Sequence, residues 1–294
     1  MLRGQCAPAG RPAIGASVTE PAPADLLDLA LSAAVAAAEL LTSGCERVEV
    51  VATKTSPTDV VTDMDRAAEE LIRERILAER PGDVILGEEG GQAGRDGQAG
   101  RGARVRWVVD PLDGTVNYLY GLPDWAVSIA AEVAGTVVAG VVCVPRRDGL
   151  FSAVLGGGAW LRSATGAPRR LACNADVPLA RALVATGFGY EPGRRRVQGQ
   201  VVSAVLPRVR DIRRGGACAV DLCSLAAGQV DGYYERGVHY WDIAAGSLIA
   251  REAGAQVAGL CGRPAGTSMT LAAGPALFGE LHDLLVSLNP ERDE

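Results

Sequence analysis

Histidine occurs twice and lysine once in the 294 residues. With only His239 and His282 on the chain, a histidine-rich zinc centre cannot be assembled, and Ser-His-Asp chemistry is disfavoured. No Cys-x-x-Cys pair occurs among the seven cysteines, Cys6, Cys45, Cys143, Cys173, Cys218, Cys223 and Cys261. Their odd number and apolar surroundings fit reduced thiols in the cytoplasm better than a disulfide framework. There is no twenty-residue apolar span and no basic-then-apolar leader, so neither a membrane anchor nor a signal peptide is expected. No repeat period appears. A net charge of −6 leaves no sequence-wide surface for nucleic acid. A local basic patch at Arg194-Arg195-Arg196 stays open, the plainer reading being a solvated loop.

What remains is ordinary for a soluble globular protein. Hydrophobic residues make up 48% and charged residues 22%, over a length that suits one large domain or two small ones. Residues 1–24, rich in Ala, Pro and Gly, read as a disordered tail or as a start codon placed too early. A helix is expected from about Asp25 to Ser43, with an apolar stripe of Leu27, Leu31, Val35 and Leu40. A polar motif, Lys54-Thr-Ser-Pro-Thr-Asp-Val-Val-Thr-Asp-Met-Asp65, precedes a second helix over about 63–80. Val84-Ile85-Leu86 reads as a strand and residues 90–104 as a loop. From 126 to 162, short apolar runs between glycine-containing turns predict an antiparallel meander. After about residue 175, strands near 183–185, 212–213, 232–234, 256–260 and 270–273 alternate with helices over 197–209, 218–227, 241–253 and 276–288. The expectation is an α/β (α+β) chain. An antiparallel-rich N-terminal subdomain would span 25–175 and a mixed α/β C-terminal one 176–290, with a soft boundary.

The chemistry centres on Trp107-Val-Val-Asp110-Pro-Leu-Asp113-Gly-Thr115-Val-Asn117. This reads as a buried strand that delivers two carboxylates and then opens a helix, whose first N–H groups can hold an oxyanion. Four separated segments supply acids at element ends: Asp65, Glu88 with Glu89, Asp110 with Asp113, and Asp242. Mg²⁺ takes about six oxygen ligands at ~2.1 Å. Two such ions ~3.5–4 Å apart can clamp an in-line phosphoryl displacement. Asp110 is best placed to bridge them. Each acid also has a plainer reading. Asp113 suits an N-cap, Asp65 a capping box with Thr62, Asp242 a helix start, and Glu88-Glu89 a solvated turn. Adjacent side chains diverge, so Glu88 rather than Glu89 is expected at the ions. Thr115 could orient a water or simply satisfy the first turn, and Lys54 could serve for its compact charge or survive by chance. Haloacid-dehalogenase phosphatases use Asp-x-Asp-Gly-Thr. The extra residue here moves the second carboxylate off the nucleophile's face, so no phospho-aspartate is expected.

Four pieces together resemble the inositol monophosphatase family, of the bacterial type, among the lithium-sensitive metal-dependent phosphatases. They are Lys54-x-Ser-Pro-x-Asp-x-Val-Thr-x-x-Asp65, Gly87-Glu88-Glu89, the 107–117 stretch, and Trp241-Asp242-Ile-Ala-Ala-Gly246. Their order and spacing cover roughly 25–290. The resemblance implies a layered α/β/α/β/α sandwich with the site between subdomains. It implies one Mg²⁺ near Glu88, Asp110 and the Leu112 carbonyl, a second near Asp110, Asp113 and Asp242, and a weaker third near Glu88. Gly114 and Thr115 would hold phosphate through their N–H groups. Thr115, Glu88 and Asp65 would activate water. Asp113, Glu235 and Cys218 would meet the substrate, with Lys54 and Glu89 in support. Leu112 replaces the commoner isoleucine, and Ala217 stands where many relatives carry Ser or Thr.

The favoured activity is therefore Mg²⁺-dependent hydrolysis of a small polyol phosphate, myo-inositol 1-phosphate first, by direct attack of a metal-activated water. Alternatives are phosphatases for fructose bisphosphate, histidinol phosphate or 3′-phosphoadenosine phosphate, and a scaffold for the transcription machinery. The resemblance adds a homodimer and inhibition by lithium. No nucleic acid or membrane is required.

Overall fold

The structure is a computed structural model that describes residues 21–45, 50–53, 60–93 and 105–293. Lys54, residues 1–20 of the expected tail and residues 94–104 of the expected loop lie outside the described residues.

The meander forms as its pattern predicts. Strands β6 (Ala126–Val133), β7 (Thr136–Val144), β8 (Gly149–Val154) and β9 (Gly158–Arg162) pair antiparallel in sequence. Ala134 and Gly135, both at positive φ, close the first hairpin in two residues. On the other flank of β6 lies β5 (Arg106–Asp113), antiparallel to it. Beyond that is β3 (Val84–Gly87), parallel to β5. Two short edges complete an eight-stranded sheet: β4 (Gly91–Ala93) on β3 and β10 (Arg169–Arg170) on β9. Residues 91–93 are thus strand rather than loop, because the turn after Gly87 brings them back alongside β3. A separate hairpin joins β1 (Val50–Thr53) to β2 (Val60–Thr62).

The second sheet runs β12 (Asp211–Arg213), β11 (Leu183–Thr186), β13 (Gly232–Glu235), β15 (Thr270–Ala273), β14 (Gln256–Ala258). The first three strands are parallel, and β15 is antiparallel to both neighbours. Between the sheets lie α5 (Cys218–Ala226) and α6 (Tyr240–Glu252), which contact strands of both. Every residue of α5 is buried, as its near-continuous apolar sequence requires. Helices α1 (Pro23–Gly44) and α2 (Asp63–Glu79) cover the outer face of the first sheet. Helices α4 (Pro192–Val205) and α7 (Pro275–Leu288) cover that of the second. The result is the α/β/α/β/α sandwich that the resemblance implies.

Two helices differ from expectation. On α1 only Leu31 of the four expected stripe residues is buried, and Val35 is exposed. The buried face is Leu26, Ala30, Ala33, Ala37 and Leu41, rotated by about one residue, or ~100°. Alanines, not the largest side chains, face the sheet, because they let the helix backbone approach β6 and β7 closely. This same composition makes α1 long and apolar enough to cross a membrane, at a hydropathy of 1.6, although half of that stretch is buried within the fold. Helix α4 begins at Pro192 rather than near 197. The Glu191 carboxylate caps the N–H groups of Gly193 and Arg194, and Pro192 takes the first turn, where no amide donor is needed. The three arginines 194–196 therefore ride on a helix instead of a loop.

Glycine sets the separation of the inner layers. A β-carbon on Gly140 of β7 would lie 3.1 Å from the Ala245 backbone of α6. Gly140→Val should force these layers apart and cost about 1–3 kcal/mol, read as a lower denaturant midpoint.

Candidate active site

In a regular strand, residues three apart point to opposite faces. Asp110 and Asp113 nevertheless line one cavity. Asp110 pairs with Ser128 while Asp113 pairs with Ala126, so three steps on β5 face two on β6. This β-bulge at Pro111-Leu112 brings both carboxylates to the same side. The Leu112 N–H donates to Asp110 Oδ1 at 3.0 Å and stabilises the turn. Gly114 follows in the left-handed region at φ 88°, and a β-carbon there would also meet the Asp124 carbonyl at 2.9 Å. It is the N-cap of α3 (Thr115–Leu119). Asp113 is therefore not the helix cap. Its Oδ2 turns away to accept the Ala219 N–H of α5 at 2.7 Å.

Asp65 completes the capping box and also reaches Thr115. One oxygen, Oδ2, accepts the Thr62 N–H at 2.8 Å and completes a capping box. The other, Oδ1, accepts the Thr115 hydroxyl at 3.1 Å, and the Leu112 carbonyl lies 3.2 Å from the same hydroxyl. Asp242 likewise starts α6, with Oδ2 accepting the His239 N–H at 2.7 Å, and faces the cavity. Glu88 follows β3, and its carboxyl lies within hydrogen-bonding reach of Asp110.

The Gly87-Glu88-Glu89-Gly90 turn is fixed by a residue that motif reading missed. The buried Glu69 carboxylate of α2 accepts the N–H groups of Glu89 at 2.8 Å and Gly90 at 2.9 Å, and pairs with Arg73 at 3.0 Å. It passes where a β-carbon on Gly87 would stand 2.5 Å from it. Its signal was available, since Glu69 lies one helical turn beyond Asp65 on the same face.

These groups open on a cavity of about 460 Å³. Glu88, Asp110, Leu112, Asp113, Gly114, Thr115 and Asp242 form one wall; Glu235 and Cys218 come from the second sheet and α5. Gly216 also lines it, while Ala217 and Ala219 are buried behind. Further lining that the sequence did not assign to the site is Phe188, Tyr190, Arg194, Arg214 and a stacked His239–Trp241 pair with ring centroids 4.8 Å apart. Arg194 was read as part of a loop, so its place at the cavity was not legible.

Burial raises the acids, and each adds to the strain on the others. Asp110 and Asp242 stand well above the usual carboxylate range, from desolvation first and then from Glu88 and Asp113. Asp113 is pushed up to about 7 by burial, with Glu235 and Glu88 adding to it and the α5 amides opposing. Burial likewise takes Glu235 to about 7 and Asp65 to about 6. A cluster of this kind is stabilised by divalent charge, and its donors are hard oxygens that suit Mg²⁺ rather than a soft metal. Among the described residues no three His, Cys, Asp or Glu side chains close on one point. The acids stand around the cavity wall.

An acid-ringed cavity at the junction of two sheets, beside a helix opened by glycine, defines a phosphatase class within the layered α/β sandwiches. The chain belongs to the inositol monophosphatase family, whose sequence model matches residues 23–291. It is 47% identical over 240 residues to an inositol-1-monophosphatase of Mycobacterium bovis, covering 81% of this chain and 82% of that one. It is 41% identical over 234 residues to a Nus factor SuhB of Pasteurella multocida, covering 79% and 84%. The solved structure of Mycobacterium tuberculosis SuhB superposes with a TM-score of 0.76 at 40% identity, covering 92% of this chain and 99% of that one.

Glu69→Ala should leave the Glu89 and Gly90 amides without their acceptor. We expect faster hydrogen exchange confined to the 87–90 turn and a stability loss of about 1–3 kcal/mol.

Proposed function

We propose that this phosphatase is a Mg²⁺-dependent phosphomonoesterase that hydrolyses a small polyol phosphate, with myo-inositol 1-phosphate the first choice. The observation that carries the reading is one cavity shared by Glu88, Asp110, Asp113 and Asp242 on one wall and Glu235 on another. The name of the M. bovis relative supports the substrate.

Glu88, Asp110 and the Leu112 carbonyl would hold one Mg²⁺, and Asp110, Asp113 and Asp242 a second. A third, mostly hydrated, would lie near Glu88. Bound there, such ions would neutralise phosphate charge and lower the pKa of the attacking water. The chain's own groups do the rest. The N–H groups of Gly114 and Thr115 hold the phosphate oxygens. The Thr115 hydroxyl donates its hydrogen bond to Asp65 Oδ1 or the Leu112 carbonyl, which leaves its oxygen free to accept a hydrogen bond from the water. Glu88 takes up the proton as the water attacks in line. Asp113 and Glu235 orient the polyol, Cys218 packs beside them, and Glu89 supports the acid wall. Attack is direct, with inversion at phosphorus.

The enzyme works in the cytoplasm as a homodimer and needs neither nucleic acid nor membrane. Its six described cysteines are free thiols, which agrees with a reducing compartment. Lithium would compete at the position of the second cation. The relative named as a Nus factor leaves room for a scaffold role on the same fold, but a pure scaffold has no physical need of the full acid set.

One observation favours a second substrate. Arg194 lines the cavity, its Nε is buried without a partner, and among the described residues its guanidinium makes no ion pair. A second anionic group would satisfy it, as in fructose bisphosphate; histidinol phosphate and 3′-phosphoadenosine phosphate complete the set to compare. Phosphate release from all four compounds, with and without Mg²⁺ and Li⁺, decides among them.

Asp113→Asn keeps an oxygen for the Ala219 N–H, so the fold should hold while turnover falls on the order of a thousandfold. Near-wild-type turnover would refute the role. Chelation should abolish activity and loosen residues 83–93 and 105–117. Mg²⁺ at a hundred times its Kd should restore about 2.7 kcal/mol, read as a rise in melting temperature.

A further inference from the structure

Glu235 ends β13, and Tyr233, two residues earlier, lies on the same face of the strand. Tyr233 is wholly buried and does not line the cavity. Its hydroxyl donates to Glu235 Oε2 at 2.9 Å. The thiol of Cys218, the first residue of α5, lies within hydrogen-bonding reach of the same hydroxyl. From the other side the carboxylate lies against bare backbone, since a β-carbon on Gly187 would fall 2.0 Å from Oε2. Glu235 is thus boxed between a tyrosine hydroxyl and a glycine. Among the described residues Oε1 makes no hydrogen bond, and the side chain faces the cavity.

We infer that Tyr233 is a positioning residue for substrate choice: it locks Glu235 in one orientation so that Oε1 is presented to a ring hydroxyl of a polyol phosphate. This rests on the reading that Glu235 meets the polyol. A glutamate has three rotatable bonds, and an unanchored one must be ordered at every binding event. The tyrosine hydroxyl fixes it beforehand. Arg214, on the cavity wall, acts on the same carboxylate only through its charge, so the direct hydrogen bond sets the orientation.

The test compares two substrates. Inositol 1-phosphate offers ring hydroxyls to Glu235, and p-nitrophenyl phosphate offers none. In the Mg²⁺-loaded enzyme, Tyr233→Phe should raise KM for inositol 1-phosphate on the order of tenfold, with little change in kcat. For p-nitrophenyl phosphate kcat/KM should change by less than about twofold. In a Glu235→Ala background the tyrosine substitution should have no further effect on KM. Thermal melting verifies that each variant is folded. An equal loss with both substrates, or no loss with the polyol, overturns the assignment. Wild-type protein that hydrolyses p-nitrophenyl phosphate but not inositol 1-phosphate overturns the polyol reading first, and this inference with it.

Discussion

Several carboxylates share the lining of one cavity, and the rest of the site follows from holding them there. Left to themselves they would repel one another or take up protons. The fold opposes this with backbone amides. Leu112 N–H serves Asp110, Ala219 N–H serves Asp113, His239 N–H serves Asp242 and Thr62 N–H serves Asp65. In each aspartate one oxygen is tied to main chain. For Asp65 the other oxygen reaches Thr115, and Asp110 faces Glu88. The anchoring amides belong to helix starts or to the turn in β5, where N–H groups are otherwise without partners. The backbone amides that cap helices thus also orient the acids that line the cavity.

The cavity is electrostatically two-sided. The wall from β3, β5 and α6 is acidic, and the opposite rim brings Arg194 and Arg214 next to Glu235. A substrate that carries a phosphate at one end and hydroxyls or a further anion at the other fits this division. The neutral part of the lining is aromatic and backbone, with Phe188 under the Arg214 guanidinium at 6.0 Å.

Legibility followed how local the physics is. Helix starts at 63, 218 and 240 and the hairpins of the meander are set by neighbours in sequence, and their residues announced them. So did the acids at element ends, because they cluster in motifs. The bulge was not legible: Pro111-Leu112 reads as a turn, and only the pairing to β6 reveals the extra residue. The first turn of helix α4 was missed because Pro, Gly and three arginines look like a loop until Glu191 is seen to cap them. On α1 the larger residues pointed to the wrong face, since close packing selects alanine. Arg194 acquires meaning only from elements distant in sequence.

Helices α5 and α6 belong to both halves of the sandwich. Their residues pack with β5–β9 on one side and with β13–β15 on the other. Such a shared layer leaves no cleft about which the halves could swing as rigid bodies. The segments 188–191 and 236–239 complete the cavity lining opposite the acid wall. Assembly carries the same consequence: the binding cavity has no existence in either half alone, so chemical competence arrives only at the final step of folding.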